Sequence, residues 1–406
     1  TLVATDGAED SAEDVRALWQ DRVTRAVAAG RPARARRTRP SSSVQPNVLL
    51  TGATGFLGRH VVAGLLEQTD SAVTCVVRGS RSNRDSGASA HDVVFERVIT
   101  ALGQARPHLS TTDIRAMGAG RLQVIDADLQ ANALGIDRRT WDMLAEQTTS
   151  VLHIGAWVHH LHPYSRLAPS NVAATSELLK FAAEAGGIPL RFISTLAAVL
   201  YDGGVRLGED EAAPPPDSGG YVESKWVAEQ AVRESARLGD PVQIIRPPWL
   251  YGSSVDGAYN PDDALTRLIL GSIGVGAVPE VLGIEPILCV NHAVDSLIDS
   301  DLFSDPTNAS AYLPFLNGET SDIIEHVRTL GRRVDVLPVD EWRERIVSDP
   351  ENPAAAILSD FGLAVGEDPA AARRECPVAP PIVGPRDSES LDAIFEATDK
   401  MVQLAF

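Results

Sequence analysis

The stretch Val48-Leu49-Leu50-Thr51-Gly52-Ala53-Thr54-Gly55-Phe56-Leu57-Gly58 decides the fold of this chain. It joins a short apolar run to a helical pattern, His60 to Gln68, through three glycines with the spacing GxxGxxG. Glycines in a strand-to-helix turn let the backbone approach a diphosphate, whose charge the helix N-terminus stabilises. A tight structural turn is the alternative interpretation. We expect a dinucleotide cofactor to contact Gly52, Thr54, Gly55, Phe56, Leu57 and Gly58.

Short apolar runs alternate with helical patterns from here to about residue 251. This alternation is typical of parallel strands joined by helices. The candidate strands are Val48–Leu50, Val73–Val77, Leu122–Ile125, Val151–Ile154, Leu190–Ile193 and Val242–Ile245. The candidate helices between them include His60–Gln68, Ser170–Ala185 and Tyr221–Leu238. The predicted fold class is therefore α/β, a Rossmann-type doubly wound parallel sheet.

The pattern changes at both ends of the chain. Beyond Tyr251 the strand rhythm fades into helical segments broken by glycine and proline, which predicts a smaller, mainly helical C-terminal part that binds substrate. We expect an N-terminal helix and linker in residues 1–45, the dinucleotide-binding Rossmann domain in 46–255 and the substrate-binding subdomain in 256–406. The edge of the sheet could be exchanged between the last two.

The N-terminal region combines a helical pattern, Ala12 to Ala29, with an Arg- and Pro-rich segment, Arg31 to Pro40. Such a composition cannot bury a core, so the segment is interpreted as a solvated tether. A docking site for an acidic partner is the alternative. The chain opens at Thr1 without an apolar signal region, so we expect a module of a longer polypeptide.

Composition excludes several classes of function. No apolar run approaches the ~20 residues of a membrane span, and a net charge of −19 opposes general binding to nucleic acid or anionic lipid. The three cysteines are widely separated, which favours a reducing cytoplasm over a disulfide framework. The cluster His159-His160-Leu161-His162 has no nearby carboxylate or cysteine to complete a metal site, so we expect a loop there and no bound metal.

The end of the second strand indicates which cofactor is used. In NAD enzymes of this architecture an acidic residue there accepts the ribose hydroxyl, but here Val77 is followed by Arg78 and then Arg81. A guanidinium group binds a 2′-phosphate, so NADPH is favoured over NADH. Ordinary strand-end arginines are the alternative. Asp128 is predicted to accept the adenine amino group, with a solvated strand end as its alternative, and the expected site also includes Leu129, Ala156 and Pro247.

The most specific signal is Tyr221-Val222-Glu223-Ser224-Lys225. On a helix, residues i and i+4 share a face, so the phenol and the ammonium group point into one site. A neighbouring cation favours phenolate, and we expect the pKa of Tyr221 to fall from about 10 towards 7. Upstream, Thr195 follows a strand, where its hydroxyl could join the phenol in binding an oxyanion. A surface pair and a turn hydroxyl are the alternative interpretations.

These residues resemble the extended short-chain dehydrogenase/reductase superfamily. Within it, residues 45 to 350 resemble the terminal thioester reductase domains of nonribosomal peptide synthetases, relatives of the reductase domains of carboxylic acid reductases and aminoadipate reductase. The chain departs from the family pattern at Ala127, which stands for a glycine, and at Pro248-Trp249. The resemblance rests on Cys75–Arg78, Leu134–Ile136, Trp141, His153–Val158, Pro163-Tyr164, Asn171-Val172, Gly220-Tyr221, Lys225-Trp226, Arg246-Pro247, Gly252–Asp263 and Glu341–Arg343.

The resemblance implies reductive release of an acyl or peptidyl thioester from an upstream carrier protein, where a phosphopantetheine arm holds it. Tyr221 and Thr195 would stabilise the carbonyl oxygen, and Lys225 would hold the nicotinamide ribose and tune Tyr221. NADPH would reduce the thioester to an aldehyde, and a second NADPH could carry the aldehyde to an alcohol. The isolated domain is expected to be monomeric.

Other functions stay open at this point. A nucleotide-sugar epimerase or dehydratase shares the fold and the Tyr/Lys pair, although it usually has an acidic residue where Arg78 stands. A reductase of free acyl-CoA and a non-redox module are further alternatives. The identity of the acyl chain is not readable from the sequence.

Overall fold

A computed structural model describes the larger part of the chain. The described residues are 12–29, 45–79, 89–159, 161–201, 204–205, 214, 218–279, 284–299, 310–313, 316–329, 334–355, 358 and 391–405. No helix among them is both long and apolar enough to cross a membrane.

Seven parallel strands form the central sheet, which confirms the predicted fold class. They are β1 (Asn47–Thr51), β2 (Ala72–Val77), β3 (Leu122–Asp126), β4 (Ser150–His153), β5 (Leu190–Ile193), β8 (Val242–Arg246) and β12 (Ser310–Tyr312), and their order is β12-β8-β5-β4-β1-β2-β3. The smaller strands are β6 (Leu200–Tyr201), β7 (Gly204–Val205), β9 (Trp249–Tyr251), β10 (Ala277–Pro279), β11 (Ile284–Cys289), β13 (Leu316–Glu319) and β14 (Asp335–Leu337).

Helices cover both faces of this sheet. They are α1 (Ala12–Ala29), α2 (Phe56–Gln68), α3 (Ala90–Ala105), α4 (Thr111–Met117), α5 (Arg138–Gln147), α6 (Tyr164–Ala168), α7 (Ala174–Glu184), α8 (Gly220–Arg237), α9 (Ala264–Val275), α10 (Val290–Asp299), α11 (Thr320–Thr329), α12 (Val339–Val347) and α13 (Leu391–Ala405). A short π-helical segment, Pro169–Ala173, joins α6 to α7.

The alternation of side chains along β1 divides the core into two layers. Val48 and Leu50 pack with α2, α3 and α10 on one face, whereas Leu49 packs with α5, α7 and α8 on the other. Because both faces are covered, the strands are continuous apolar runs, and this explains why six strands of the central sheet could be recognised from the sequence. The N-terminal helix α1 joins the second layer: Ala26 is buried and its carbonyl accepts a hydrogen bond from Ser176 Oγ at 2.8 Å.

The strand order places a crevice beside the glycine-rich stretch. From β1 the chain runs outward through β2 and β3, then returns to pair β4 with the other side of β1. Ligands of open α/β sheets bind at the carboxyl ends of the strands where the order reverses. The crevice therefore opens where β1 and β4 end, at Thr51 and His153.

The C-terminal part contains strands that were not predicted from the sequence. Strands β9, β11 and β13 form one small sheet, β10 and β14 form another, and β12 completes the edge of the main sheet next to β8. A third apolar cluster lies under the first of these small sheets and includes residues of α9, α11 and α13. Strands β9, β10, β12 and β14 have only three residues each, too few for a periodic pattern to identify a strand. Strand β11 contains Pro286, a residue type that argues against a strand in a sequence. The domain boundaries and the substrate-binding role of this part stay predictions.

Candidate functional site

The turn after β1 is possible only with glycine at two positions. Gly52 has a φ of +82°, and a Cβ atom there would lie 2.7 Å from the backbone nitrogen of Gly155. A Cβ on Gly58 would overlap the carbonyl oxygen of Gly52. The two glycines let α2 and the end of β4 pack directly against the turn.

The N-terminus of α2 is open for an anion. Gly55 is its N-cap residue and supplies no side-chain hydrogen bond, and the first turn carries no acidic residue. The first backbone N–H groups of a helix have no partner within it, and the helix dipole favours negative charge there. The diphosphate of a dinucleotide fits this end of the helix.

Hydrogen bonds around the buried His153 hold the glycine turn in place. Thr51 Oγ1 lies 2.7 Å from His153 Nδ1 and accepts a hydrogen bond from the Gly155 backbone nitrogen at 3.0 Å. The other ring nitrogen of His153 lies 3.1 Å from Thr175 Oγ1. Burial, together with the charge of Lys225, lowers the pKa of His153 to about 3, so the imidazole is neutral. It holds the ends of β1 and β4 in register.

One cavity of about 850 Å³ opens above this turn. Every predicted site residue within the described part of the chain lines it. These are Gly52, Thr54, Gly55, Phe56, Leu57, Gly58, Arg78, Asp128, Leu129, Ala156, Thr195, Tyr221, Lys225 and Pro247. Arg81 lies outside the described residues.

Two described arginines line the cavity near the end of β2. Arg97, on α3, lines the cavity with Arg78, and its guanidinium group donates to the Arg78 carbonyl. The backbone nitrogen of Gly79 donates to Asp126 Oδ1 at 2.7 Å, which fixes the chain direction after Arg78. Asp128 Oδ1 accepts from the backbone nitrogen of Gln130 at 3.0 Å and leaves its second oxygen for a ligand.

The Tyr/Lys pair lies at the start of α8. Lys225 is 1% exposed, donates to the Ile193 carbonyl at 2.7 Å and lies 4.0 Å from the centre of the Phe192 ring. Lys225 is therefore tied to the end of β5. The hydroxyl of Thr195, just beyond that strand, accepts from the Ala197 backbone nitrogen at 3.3 Å. Its hydrogen has no acceptor among the described residues.

The pKa values differ from the expectation. Burial raises the pKa of Tyr221 to about 12. Burial also lowers the pKa of Lys225 to about 7, although the nearby Glu229 carboxylate opposes this shift. The predicted fall in the Tyr221 pKa is wrong because desolvation of the phenol outweighs attraction by the Lys225 ammonium group. The lowered pKa of Lys225 means that this group is only partly protonated at neutral pH. At neutral pH Tyr221 is a protonated hydrogen-bond donor.

The loop before α6 holds the first turn of α8 in place. A Cβ on Gly220 would overlap the backbone of His162 to Tyr164, so only glycine allows this packing. Asn171 links the loop before α6 to helix α8. Its side chain accepts a hydrogen bond from Trp157 N at 2.7 Å and donates one to Ser224 Oγ at 3.0 Å. Tyr221 is thus fixed from two sides.

The opposite wall of the cavity begins at Pro247. Its carbonyl accepts from the Leu196 backbone nitrogen at 2.9 Å, which places this wall beside Thr195. Trp249, one of the three residues that depart from the family pattern, donates from Nε1 to Asp263 Oδ1 at 2.8 Å. Asp263 also accepts from the Thr266 backbone nitrogen at 2.9 Å and caps α9, so the indole is anchored.

Sequence reasoning missed several residues of the cavity. Arg97 lies on a helix that begins more than ten residues after the second strand, and no local pattern marks it. Trp157, Asn260 and Asp263 fall inside stretches that carried the family resemblance, but no role was assigned to them. Among the described residues, no group of three His, Cys, Asp or Glu side chains is placed to hold a metal ion. His160, part of the histidine cluster, lies outside the described residues.

The chain matches one family model and several curated enzymes. Residues 50–297 match the NAD-binding family model described as male sterility protein. The carboxylic acid reductase of Mycobacterium tuberculosis is 34% identical over 273 residues, which are 64% of this chain and 22% of that enzyme. The chain spans between 6% and 24% of the length of the first relatives that it matches.

Two solved structures that contain reductase domains match almost the whole chain. The terminal R domain from the myxalamid PKS-NRPS biosynthetic pathway has a TM-score of 0.73 and 25% identity, covering 94% of this chain and 98% of that one. A thiolation-reductase di-domain from an archaeal non-ribosomal peptide synthetase has a TM-score of 0.63 and 19% identity, covering 94% of this chain and 79% of that one. The second likeness is one of fold.

Proposed function

The chain belongs to the NAD-binding family described as male sterility protein, among the extended short-chain dehydrogenase/reductases, and from this premise we propose that it uses NADPH to release a carrier-bound acyl or peptidyl thioester as an aldehyde. The observation that carries the proposal is the composition of the cavity above the glycine turn. It brings Thr195, Tyr221 and Lys225 together with the glycine turn that fits a dinucleotide. The comparisons do not favour the epimerase or the free acyl-CoA alternative.

The described residues fit a nicotinamide dinucleotide. The uncapped N-terminus of α2 would hold the diphosphate, and Asp128 would accept from the adenine amino group. Arg78 and Arg97 would bind a 2′-phosphate, which supports NADPH over NADH. When bound, the cofactor supplies the hydride for reduction of the thioester carbonyl.

Tyr221 is the donor to the carbonyl oxygen in this proposal. Because its pKa is raised to about 12, the phenol keeps its proton at neutral pH and donates to the oxygen as negative charge develops there. Thr195 provides a second O–H at the same wall. Preorganised donors of this kind are worth about 10²–10³ in turnover each.

Lys225 has a positioning role beside them. Its hydrogen bond to the Ile193 carbonyl ties α8 to the end of β5, so Tyr221 and Thr195 face the same space. The remaining protons of its amino group are available to a ribose hydroxyl, the contact that the family resemblance implies. Departure of the thiol leaves the aldehyde in the cavity.

The proposed partner is a carrier protein. The archaeal structure joins a reductase domain to a thiolation domain, and the curated relatives extend far beyond the region matched here. Both facts support delivery of the substrate by another domain. The Arg31 to Arg39 segment, considered above as a docking site, lies outside the described residues and stays a prediction.

Product analysis tests this function. The chain is incubated with NADPH and a thioester on a phosphopantetheinylated carrier protein, and the product is trapped as an oxime for mass spectrometry. We expect one aldehyde for each NADPH consumed in the first reduction, or an alcohol with two NADPH consumed. Release of a carboxylic acid, or NADPH consumption without aldehyde or alcohol, would contradict the proposal.

A further inference from the structure

A cluster of side chains around Trp157, which lines the cavity, has no part in the reaction described so far. This rim cluster consists of Trp157, His159, His162 and Arg166. The imidazoles of His159 and His162 stack with their centres 3.6 Å apart and their planes at 9°. Trp157 contacts His162 edge to face at 5.1 Å, and the Arg166 guanidinium lies 5.6 Å from the Trp157 ring centre.

The rim cluster is built into the wall that positions Tyr221. Trp157 and the adjacent Val158 line the cavity. The Trp157 backbone is held by Asn171, which also bonds Ser224 in the first turns of α8. The backbone of His162 lies directly against Gly220. A group bound at the rim cluster therefore lies next to the wall that positions Tyr221.

The cluster offers donors without a matching anion. Arg166 is exposed and forms no ion pair with any described residue. His159 Nδ1 accepts from the Leu161 backbone nitrogen at 3.2 Å, so the proton of the neutral ring is on Nε2 and can be donated. Partial desolvation, followed by the neighbouring His159 and the charge of Arg166, lowers the pKa of His162. The acidic residue in the first turn of α8, Glu223, is paired with Arg22 at 3.1 Å.

We propose that the rim cluster binds an oxyanion of the incoming thioester substrate, either the phosphate of the carrier arm or a carboxylate on the acyl chain. The proposal rests on the proposed function. A protein with a net charge of −19 repels an anion at long range, so an anionic substrate needs a local cationic site at the entrance. Arg166 supplies a permanent charge and the imidazoles supply further donors. Val158 and Leu161, each 57% exposed, would contact the apolar part of the substrate.

Three thioesters with one acyl length test the site. They are an S-acyl pantetheine, the same compound with a 4′-phosphate, and a pantetheine thioester with a terminal carboxylate on the acyl chain. We expect kcat/KM to be at least about tenfold higher for one anionic compound than for the neutral one, the scale of a charge-assisted hydrogen bond. Whichever compound is preferred identifies the oxyanion. The double variant Arg166→Gln/His162→Gln should reduce this preference to about one.

Arg139→Gln, at an exposed arginine on α5, is the matched control and should keep the wild-type preference. An undiminished preference in the double variant, an equal loss for all three thioesters, or no preference in the wild-type protein would overturn the site. Binding is measured separately, by calorimetry of amide analogues of the three compounds with protein saturated with NADP⁺. If no thioester is reduced, the proposed function fails, but calorimetry still tests the rim cluster. We expect the wild-type protein to bind an anionic analogue more tightly than the neutral one and the double variant to lose this preference.

Discussion

The two walls of the cavity are built in different ways. The wall at the ends of β1 and β4 consists of two short backbone stretches that pack directly on each other, and its geometry follows from glycines that admit no side chain. The wall that begins at Pro247 is held by side chains from distant elements: Arg59 on α2 donates to the Tyr259 carbonyl at 3.0 Å, and Lys400 on α13 donates to the Val255 carbonyl at 2.9 Å. The first wall depends on close backbone packing at glycines, and the second depends on hydrogen bonds from side chains of distant elements.

This difference separates what each wall does in the proposed reaction. A dinucleotide is the same molecule for every enzyme that binds it, so a local motif suffices. The acyl chain differs between enzymes, and a wall assembled from distant parts can be altered without disturbing the cofactor. We therefore expect substitutions in the first wall to affect binding of NADPH and substitutions in the second to affect the thioester.

The largest effect is expected at Gly58. Alanine there would overlap the Gly52 carbonyl, so Gly58→Ala should separate α2 from the turn and abolish NADPH binding. Gly103→Ala is the matched control, since no atom lies within 4 Å of its added Cβ, and in helix α3 it should add up to about 1 kcal/mol of stability. Fluorescence titration with NADPH and thermal unfolding measure both. Normal NADPH affinity in Gly58→Ala would contradict the assignment of the first wall.

The next effect concerns the choice of cofactor. Arg78→Ala/Arg97→Ala removes two cations from the cavity, and we expect KM for NADPH to rise by about tenfold or more because a phosphate loses charge-assisted hydrogen bonds. KM for NADH should change little. Arg115→Ala, at an arginine paired with Glu96 on the neighbouring helix, should change neither. Equal losses for the two cofactors would show that the arginines support the fold instead.

A smaller effect is expected at Trp249. Trp249→Phe keeps an aromatic ring but loses the hydrogen bond to Asp263, at a cost of about 1 kcal/mol in the free energy of unfolding. The ring is then less well fixed, and KM for the thioester should change by roughly threefold to tenfold, while KM for NADPH stays the same. A change confined to NADPH would remove the distinction between the two walls.

The smallest effect is the dependence of thermal stability on pH that Lys225 causes. The pKa of Lys225 is about 7 when folded and about 10.4 when unfolded, so the unfolded chain binds more protons between these values and stability rises with pH there. The Tm of the cofactor-free wild-type protein should gain roughly 2 °C per pH unit relative to Lys225→Met across this range. Parallel Tm curves for the two proteins would show that Lys225 is fully charged in the folded state.

The same difference explains what the sequence could predict. The six predicted strands of the central sheet and the glycine turn follow from contiguous patterns, and the helical spacing of Tyr221 and Lys225 places both on one face. Trp249 and Asp263 meet through a bend that no periodicity reveals, and β12 is only three residues long. The pKa of Tyr221 was predicted in the wrong direction because the sequence shows which charges are neighbours but not how much water the fold removes from them.

The most direct test of the account is Tyr221→Phe. Turnover with a carrier-bound thioester and the dissociation constant of NADPH are measured on the same folded variant. We predict that turnover falls by about two orders of magnitude or more, while the dissociation constant changes by less than about twofold. Near-normal turnover in the folded variant would contradict the account.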